Sequence, residues 1–268
     1  MKQTGQKEVS LVDPVSRLMR VDSQRLDVCY NVQTSVDAKK HLIVDYDVIN
    51  NSTDHHQLVN DAKAAKNTLG VERLEATTDK GFYVMKDLKD CEQEGVTVFM
   101  PIPATVNPHK RFGVPEPEFY TDRFVYDAVR DVYVCPAGEE LGFWKCIHKG
   151  SPERGRVYKT VCCAVCGFRS RCTRNKRGRI IFRGEFEDSV ERLRSRLGTS
   201  EGKEKLHRRR EIVEHPFGTM KRAFNQGYLL LKGFRKVKGK VGFTMLAYNM
   251  RRVINIFGVG TIINLMKK

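Results

Sequence analysis

The chain has 268 residues, of which 40% are hydrophobic, so it can bury a core and is not a disordered protein. Its 48 Lys and Arg residues outnumber 32 Asp and Glu residues, which gives a formal net charge of +16. No apolar run approaches the roughly eighteen residues that cross a bilayer, and the first ten residues contain no apolar segment typical of a secretory signal. We therefore expect a cytoplasmic protein with a polyanionic partner, nucleic acid first and an anionic membrane surface second.

The first hundred residues predict an alternation of strands and helices. The predicted strands are 8–13, 27–36, 41–49, 71–78 and 96–100, and the predicted helices are 54–69 and 84–94. A turn at 37–40 joins the second and third strands, and Gly70 and Gly95 end the two helices. This series predicts a mixed α/β fold with helices packed on a central sheet.

The character of the chain changes from residue 104 to residue 202. Pro, Gly, Cys and basic residues become frequent there, and the apolar periodicity fades. We predict an insertion made of a small metal-stabilised module and a charged, helical linker. Periodicity returns in 207–223 and 241–257, which predict two helices. The predicted domains are therefore 1–103 and 203–268, as two parts of one α/β domain, and the insertion 104–202.

Three acidic residues lie at the ends of predicted elements or within them. Asp13 ends the first predicted strand, Asp79 directly follows strand 71–78, and Glu214 lies in helix 207–223. Carboxylates that converge from two strands and a helix can hold two divalent ions, and hard oxygen ligands suit Mg²⁺ or Mn²⁺. Two ions about 4 Å apart support phosphoryl transfer. An Asp at a strand end is also a common turn former or helix cap, so both interpretations stay open here.

The residues around Glu214 share one face of its helix. Arg210 lies four positions before Glu214 and Lys221 lies seven after it, about two turns, so all three return to the same face. A carboxylate between two cations suits a metal ligand whose neighbours bind DNA phosphates. The alternative is an exposed i,i+4 ion pair, which contributes about 0.2–0.5 kcal/mol.

Four stretches of the chain resemble the DDE transposases of bacterial insertion sequences. They are YNVQTSVDAKKHLIVDYDVIN followed by Asp54 and Leu58, TDKGFYVMKDLKDCEQEGVTVFMPIP, YDAVRDVYVCPAGEEL with the later CCAVCGFRSRCT, and RRREIVEHPFGTMKR with the later GYLLLKGFRKVKGKVGFTMLAYNMRRVINIFG. In this order they cover most of the chain from about Ser10. The resemblance implies an RNase H-like catalytic domain, and we expect the segment 104–202 to form a Cys-rich, zinc-binding insertion in it. It also implies metal-dependent DNA cleavage and strand transfer in transposition.

The resemblance assigns roles to residues near two of the acids. The second catalytic Asp would be Asp79, in an Asp-x-Gly-Phe turn, and the catalytic Glu would be Glu214. The family signature Tyr-x2-Arg-x3-Glu-x6-Lys is matched by Arg210, Glu214 and Lys221, with His207 in place of the Tyr. This substitution affects the expected role of that one position.

The first catalytic Asp has two candidates. Asp13 is our choice because it ends the first predicted strand, and Asp37 in the turn after the second predicted strand is the alternative. In the chosen assignment Asp13, Asp79 and Glu214 hold Mg²⁺ or Mn²⁺.

Five of the eight cysteines lie between residues 146 and 172, and another lies shortly before them. In a chain without a visible secretory signal, such clustering indicates metal binding more than disulfides. The predicted ligands of a structural Zn²⁺ are Cys135, Cys163, Cys166 and Cys172. Cys162 can substitute for Cys163, Cys146 is spare, and free thiols are the alternative.

Basic residues cluster around the predicted catalytic site. Those predicted to bind DNA are His207, Arg210, Lys221, Lys232 and Arg235. Contacts to phosphates give affinity rather than sequence selectivity. Double-stranded DNA, as transposon ends and as target, is therefore the expected partner, and a homodimer is the assembly that the family suggests.

Two other functions remain open. Members of this family usually recognise transposon ends through a helical N-terminal domain, and no helix-turn-helix pattern precedes the first predicted strand. We therefore expect that domain to be missing, and a catalytically inactive DNA-binding remnant is the first alternative. A nuclease of the same fold, which cleaves strands without joining them, is the second.

Overall fold

The computed structural model describes residues 9–21, 25–103, 115–147, 154–224 and 228–267. Residues 104–114 and 148–153 of the predicted insertion, and Glu8 of the first predicted strand, lie outside this set. The chain divides into two compact units, which we call the first unit (residues 1–102 and 193–268) and the second unit (residues 103–192). The predicted domain limits of 1–103, 104–202 and 203–268 stay a prediction.

The described residues form strands and helices along the whole chain. The strands are β1 (Arg17–Arg20), β2 (Leu26–Cys29), β3 (Asn31–Val36), β4 (Ile43–Ile49), β5 (Leu74–Thr77), β6 (Val96–Phe99), β7 (Val125–Asp127), β8 (Val132–Val134), β9 (Glu140–Ile147), β10 (Gly155–Lys159) and β11 (Ile180–Gly184). The helices are α1 (Leu58–Leu69), α2 (Met85–Gln93), α3 (Arg169–Cys172), α4 (Glu187–Gly198), α5 (Ser200–Ala223), α6 (Phe234–Phe257) and α7 (Val259–Met266). None of these helices is both long enough and apolar enough to span a bilayer.

Strand pairing in the first unit is local. Its described strands form three two-stranded sheets: β1 with β2 and β3 with β4 are antiparallel, and β5 with β6 is parallel. The predicted mixed α/β class is confirmed. A single central sheet does not join these strands within the described residues, and the RNase H-like arrangement stays a prediction.

One buried cluster of the first unit joins the β3–β4 hairpin to the C-terminal helices. Its buried members are Ile43, Val48, Met220, Val237, Val241, Met245 and Tyr248. The four members on α6 recur at intervals of three or four residues, which places them on one helix face. The predicted packing of this helix on the core is therefore present.

The second unit is built around one antiparallel sheet. Its strands lie in the order β11-β10-β9-β8-β7, so each strand pairs with its neighbour in sequence. The buried core is largely aromatic and contains Phe119, Phe124, Tyr133, Leu141, Tyr158, Cys172 and Ile181. We predicted only a small metal-stabilised module here, and the sheet is a finding of the structure. Its strands lack a clean alternation, since β9 exposes the consecutive Phe143, Trp144 and Lys145.

Candidate functional site

Asp79 lies where strand β5 leads into a tight turn. The backbone N–H of Thr78 donates to the carbonyl of Phe99, so pairing with β6 continues up to the residue before Asp79. The Asp79 carboxylate accepts a hydrogen bond from the backbone N–H of Gly81 at 3.2 Å and caps the 3₁₀ turn Lys80–Phe82. Its side chain is half exposed. Asp79 is thus fixed by the end of β5 and still faces solvent.

Helix α5 lies alongside β5. The Lys205 ammonium is 2.7 Å from a carboxylate oxygen of Glu75, and a guanidinium nitrogen of Arg209 is 3.4 Å from a carboxylate oxygen of Asp79. Both pairs step four residues in the same direction along the chain, so α5 and the segment from β5 to Asp79 run side by side in the same direction. Glu214 follows Arg209 by five residues, about 7.5 Å further along the helix axis. The structure therefore brings Asp79 to the helix that carries Glu214.

The predicted phosphate-binding residues on α5 are exposed. Glu214, His207, Arg210 and Lys221 all face solvent. The arginine that reaches Asp79 is Arg209, which sequence reasoning did not single out. Its spacing of four residues from Lys205 was the available signal, because both lie on the helix face toward β5.

The surroundings of Asp13 correct one expectation. Residues 9–13 are not a strand; Asp13 lies in a turn before β1, where its carbonyl accepts the N–H of Ser16. Its carboxylate accepts hydrogen bonds from the Tyr30 hydroxyl at 2.6 Å and from the Gly233 N–H at 3.1 Å. The β-prone pattern was wrong here because these hydrogen bonds hold the segment as a turn.

Electrostatics at Asp13 favour the charged form. Desolvation raises the pKa of Asp13, but the hydrogen bonds from Tyr30 and the Gly233 N–H, together with the Lys232 charge, outweigh it, so that the pKa is lowered. Burial and the bond to Asp13 raise the pKa of Tyr30 to about 12. The structure thus brings Asp13 together with Lys232, a residue predicted to bind DNA.

Asp37, the alternative first Asp, is engaged in the β3–β4 turn. Its carboxylate accepts hydrogen bonds from the backbone N–H groups of Lys39 at 3.2 Å and Lys40 at 2.6 Å. This is the ordinary role of an Asp in a turn. The Asp37 carboxylate thus stabilises the turn through its hydrogen bonds to the backbone.

Asp54 is a neighbour of the Asp79 turn that we did not single out as a site residue. One carboxylate oxygen accepts hydrogen bonds from the side-chain amides of Asn31 and Gln33, each at 2.7 Å. The other lies only 3.2 Å from the position that a Cβ on Gly81 would occupy. The signal was present in the sequence, since Asp54 belongs to the first stretch that resembles the family.

The acidic residues do not form a ready metal site. Across the described ranges, no three His, Cys, Asp or Glu residues are close enough together to hold a metal ion. Asp13, Asp79 and Glu214 therefore do not fit a metal ion in this arrangement. The Asp79 carboxylate instead forms an ion pair with the guanidinium of Arg209. The predicted Mg²⁺ or Mn²⁺ stays a prediction.

The predicted zinc ligands surround one small cavity in the second unit. The cavity has a volume of about 30 Å³, and the cysteines that line it are Cys135, Cys162, Cys163, Cys166 and Cys172. Cys146 is exposed and does not line it. All four predicted ligands thus share one cavity, although their present spacing is not that of a bound metal.

Backbone geometry around these cysteines is tight. The N–H of Arg179 points to the Cys163 sulfur at 3.4 Å, and Gly178 has a φ of +84° and no room for a Cβ beside Cys163. Burial raises the pKa of the Cys172 thiol, with smaller contributions from its cysteine neighbours. The same burial lowers the pKa of Arg179, whose Nε has no partner among the described residues.

Part of the chain matches a known family. Residues 134–254 match the family model described as a transposase DDE domain. No curated protein and no solved structure matches the chain. The matched range contains the cysteine cavity residues and helix α5 with Glu214, while Asp13 and Asp79 precede it. Domains of this kind generally use a divalent metal ion. Over these residues, the match confirms the resemblance to DDE transposases that the sequence predicted.

Proposed function

We propose that the chain is a DDE transposase that cleaves DNA strands at the ends of an insertion sequence and joins them to target DNA. The observation that carries this proposal is the attachment of α5 to β5. Arg209 and Lys205 bind Asp79 and Glu75, so that α5, the helix that carries Glu214, is held against the strand that leads into Asp79. The transposase match includes this helix.

In this proposal the acidic residues of the first unit carry out catalysis and its basic residues bind DNA. Asp79, Glu214 and Asp13 supply the catalytic carboxylates. The residues that bind the phosphates of double-stranded DNA are His207, Arg210, Lys221, Lys232 and Arg235, and the net charge of +16 attracts the polyanion over a longer range. Dependence on Mg²⁺ or Mn²⁺ is part of the proposal. Because Arg209 pairs with Asp79, metal binding at Asp79 would compete with this guanidinium.

Plasmid nicking by the purified full chain tests the catalytic part. We expect nicking in Mg²⁺ or Mn²⁺ that falls at least about 100-fold in Asp79→Asn and in Glu214→Gln, because each removes a charged group from the reaction site. Glu211→Gln is the matched control, since Glu211 is an exposed acid three residues earlier on the same helix. Asp13→Asn and Asp37→Asn, measured side by side, decide which is the first catalytic Asp. Equal nicking by all variants would contradict the acidic site.

A strand-transfer assay then separates a transposase from a nuclease. A transposase joins a 3′-hydroxyl end to target DNA, whereas a nuclease of the same fold releases only cut products. A DNA-binding remnant is the second candidate function, and the pairing of Asp79 with Arg209 and the His207 substitution favour it. Salt-sensitive DNA binding without nicking in either metal would support the remnant.

A structural Zn²⁺ is the second part of the proposal. Four thiols around one cavity have the ligand chemistry of a closed zinc site, and an N–H directed at a thiol sulfur stabilises a thiolate. Metal content of the purified chain tests it. We expect about one Zn²⁺ per chain, lost in Cys163→Ser and Cys166→Ser but kept in the control Cys146→Ser. A metal-free wild type that keeps its fold would contradict the zinc site.

A further inference from the structure

A second cavity, which is lined mostly by polar residues, lies in the first unit between helices α5 and α6. Its volume is about 120 Å³, and its lining residues are His215, Thr219, Tyr248, Arg251, Arg252 and Asn255. The two α5 residues are four apart, and the four α6 residues recur at intervals of three, one and three, so each helix contributes one face. The cavity is therefore a product of the helix packing and not of a loop.

Hydrogen bonds to the β3–β4 turn fix the cavity wall. The Tyr248 hydroxyl donates to the His41 carbonyl at 2.8 Å, so its remaining role toward His215 Nδ1, 2.9 Å away, is to accept. The Nε of Arg252 donates to the Lys40 carbonyl at 2.7 Å. Both side chains are thus held in place before any ligand binds.

The charge of the cavity is unbalanced. Two guanidinium groups line it, and its lining contains no Asp or Glu. Within the described part of the chain, Arg251 has no hydrogen-bond or ion-pair partner, and Arg252 uses only its Nε. By contrast, Arg209 and Arg183 each bind a carboxylate. Two adjacent cations repel each other, and a shared anion with several acceptor oxygens relieves that repulsion.

The size and position of the cavity limit the kinds of ligand that it can bind. A single water occupies about 10–15 Å³ in the same measure, so the volume is large enough for a tetrahedral oxyanion. His215 directly follows Glu214, and Thr219 lies two residues before Lys221. A group bound here would be next to the helix of the candidate catalytic Glu.

We infer that the cavity between α5 and α6 is an oxyanion site that takes a phosphate group. Its source in the working protein is a backbone phosphate of the bound DNA, an identification that rests on the proposed function. The oxyanion chemistry itself does not, since a free inorganic phosphate would make the same contacts. The site would hold DNA against α5 without taking part in bond cleavage.

Salt-dependent DNA binding tests the DNA source. The variants are Arg251→Gln, the double variant Arg251→Gln/Arg252→Gln, and the conservative Arg251→Lys. Loss of one phosphate contact lowers the slope of log K against log salt by about 0.9, equally for all DNA sequences. We expect this change in Arg251→Gln and the double variant, and a smaller one in Arg251→Lys. Arg73→Gln is the matched control, because Arg73 is an exposed arginine of the first unit that does not line the cavity.

Calorimetric titration with inorganic phosphate at constant ionic strength tests the chemistry. We expect saturable binding by the wild type and by Arg73→Gln, and at least about tenfold weaker binding by Arg251→Gln. Phosphate binding with an unchanged DNA slope would support a site for a free oxyanion. No difference from wild type in either assay would overturn the inference.

The readouts keep this inference separate from the catalytic proposal. Among the described residues, Arg251 has no hydrogen-bond or ion-pair partner that the substitution would remove, so Arg251→Gln should fold, and its melting curve checks this. Both assays measure binding and need no nicking. A chain that binds phosphate through Arg251 but never nicks DNA would keep the oxyanion site and lose the transposase proposal. A chain that nicks normally with Arg251→Gln and shows no binding change would do the reverse.

Discussion

The two units hold their folds together over very different distances along the chain. In the first unit, Asn249 on α6 exchanges side-chain hydrogen bonds with both backbone groups of Ile43 on β4, across 206 residues. Strand pairing is local in both units, and in the second unit the side-chain hydrogen bond from Arg179 to Thr121 spans 58 residues. Closing long loops costs more entropy than closing short ones. We therefore expect the long-range contacts of the first unit to form late in folding. The candidate site lies in that unit.

This difference has a consequence for function. Asp79 belongs to the early stretch of the first unit, while Arg209 and Glu214 belong to the late one. Arg209 and Asp79 therefore pair only when both stretches are folded together. The aromatic core of the second unit requires no such meeting, since all its members lie within residues 119–181.

Truncation of a core side chain should lower the stability of its own unit most strongly. Leu141→Ala on β9 and Leu58→Ala on α1 each remove a side chain that is at most 2% exposed, and we expect each to cost about 2–5 kcal/mol. Trp144, the only tryptophan of the chain, lies in β9 and reports on the second unit by fluorescence. Circular dichroism at 222 nm reports mainly on the helices of the first unit.

Denaturant unfolding by both probes then assigns each loss. Leu141→Ala should move the fluorescence transition to lower denaturant, and Leu58→Ala should move the dichroism transition. Equal shifts of both probes by either variant would show that the units unfold as one, contrary to the separation of their cores.

Removal of Arg183 should weaken the second unit somewhat less. This buried arginine donates to Glu191 at 2.6 Å and to the Tyr133 hydroxyl at 3.1 Å, and it binds Asp188. Arg183→Met roughly keeps the side-chain volume but leaves the Tyr133 hydroxyl without this hydrogen bond. We expect the free energy of unfolding to fall by about 2–3 kcal/mol, as measured from the Trp144 transition. Asp188 and Glu191 keep solvent access and can rehydrate, which limits the loss. Glu191→Gln, which keeps a hydrogen-bond acceptor, should cost less than Arg183→Met.

A pH-dependent effect should be confined to the first unit. Burial, together with repulsion from Asp45, Asp47 and Asp54, raises the pKa of Asp61 on α1 to about 7 from 3.8. Between these values the folded chain keeps a proton that the unfolded chain releases, so stability falls as pH rises from about 4 to about 7. Asp61→Asn removes this penalty. We expect it to stabilise the chain by on the order of 2 kcal/mol at pH 8 and hardly at pH 4.

Thermal melts across pH check this prediction. The wild type should lose midpoint temperature between pH 4 and pH 7 more steeply than Asp61→Asn. Parallel curves for the two proteins would mean that Asp61 is ionised in the folded chain.

The elements of the first unit were more predictable than its site. Apolar spacing and the glycine after Leu69 gave α1, whose C-cap Gly70 has the left-handed φ of 64°. The position of Asp13 was not predictable, because its turn is set by Tyr30 and by Gly233, 220 residues away. Contacts at such separation leave no local pattern in a single sequence.

The second unit was less predictable for a different reason. Strand β8 has only three residues, and β9 exposes the consecutive Phe143, Trp144 and Lys145, so the period-two alternation that marks a half-buried strand is weak. The cysteine spacing, in contrast, singled out four residues that all line one cavity, and their role as zinc ligands stays a prediction. The spacing of cysteines along the sequence can be read directly, so it predicts neighbours even in a segment whose apolar periodicity is weak.

The smallest expected effect concerns the start of the helix that carries Glu214. The Thr199 hydroxyl accepts the N–H of Gly202 at 3.0 Å and donates to the Arg196 carbonyl at 2.6 Å, which caps α5 directly after α4 ends. Thr199→Ala removes the cap, and we expect a loss of about 1 kcal/mol in the dichroism transition with the Trp144 transition unchanged. Thr199→Ser keeps the hydroxyl and should restore most of it. If the cap also sets the register in which Arg209 meets Asp79, Thr199→Ala should lower nicking while Thr199→Ser does not. A stability loss without any change in nicking would show that Lys205 and Arg209 alone hold α5 against β5.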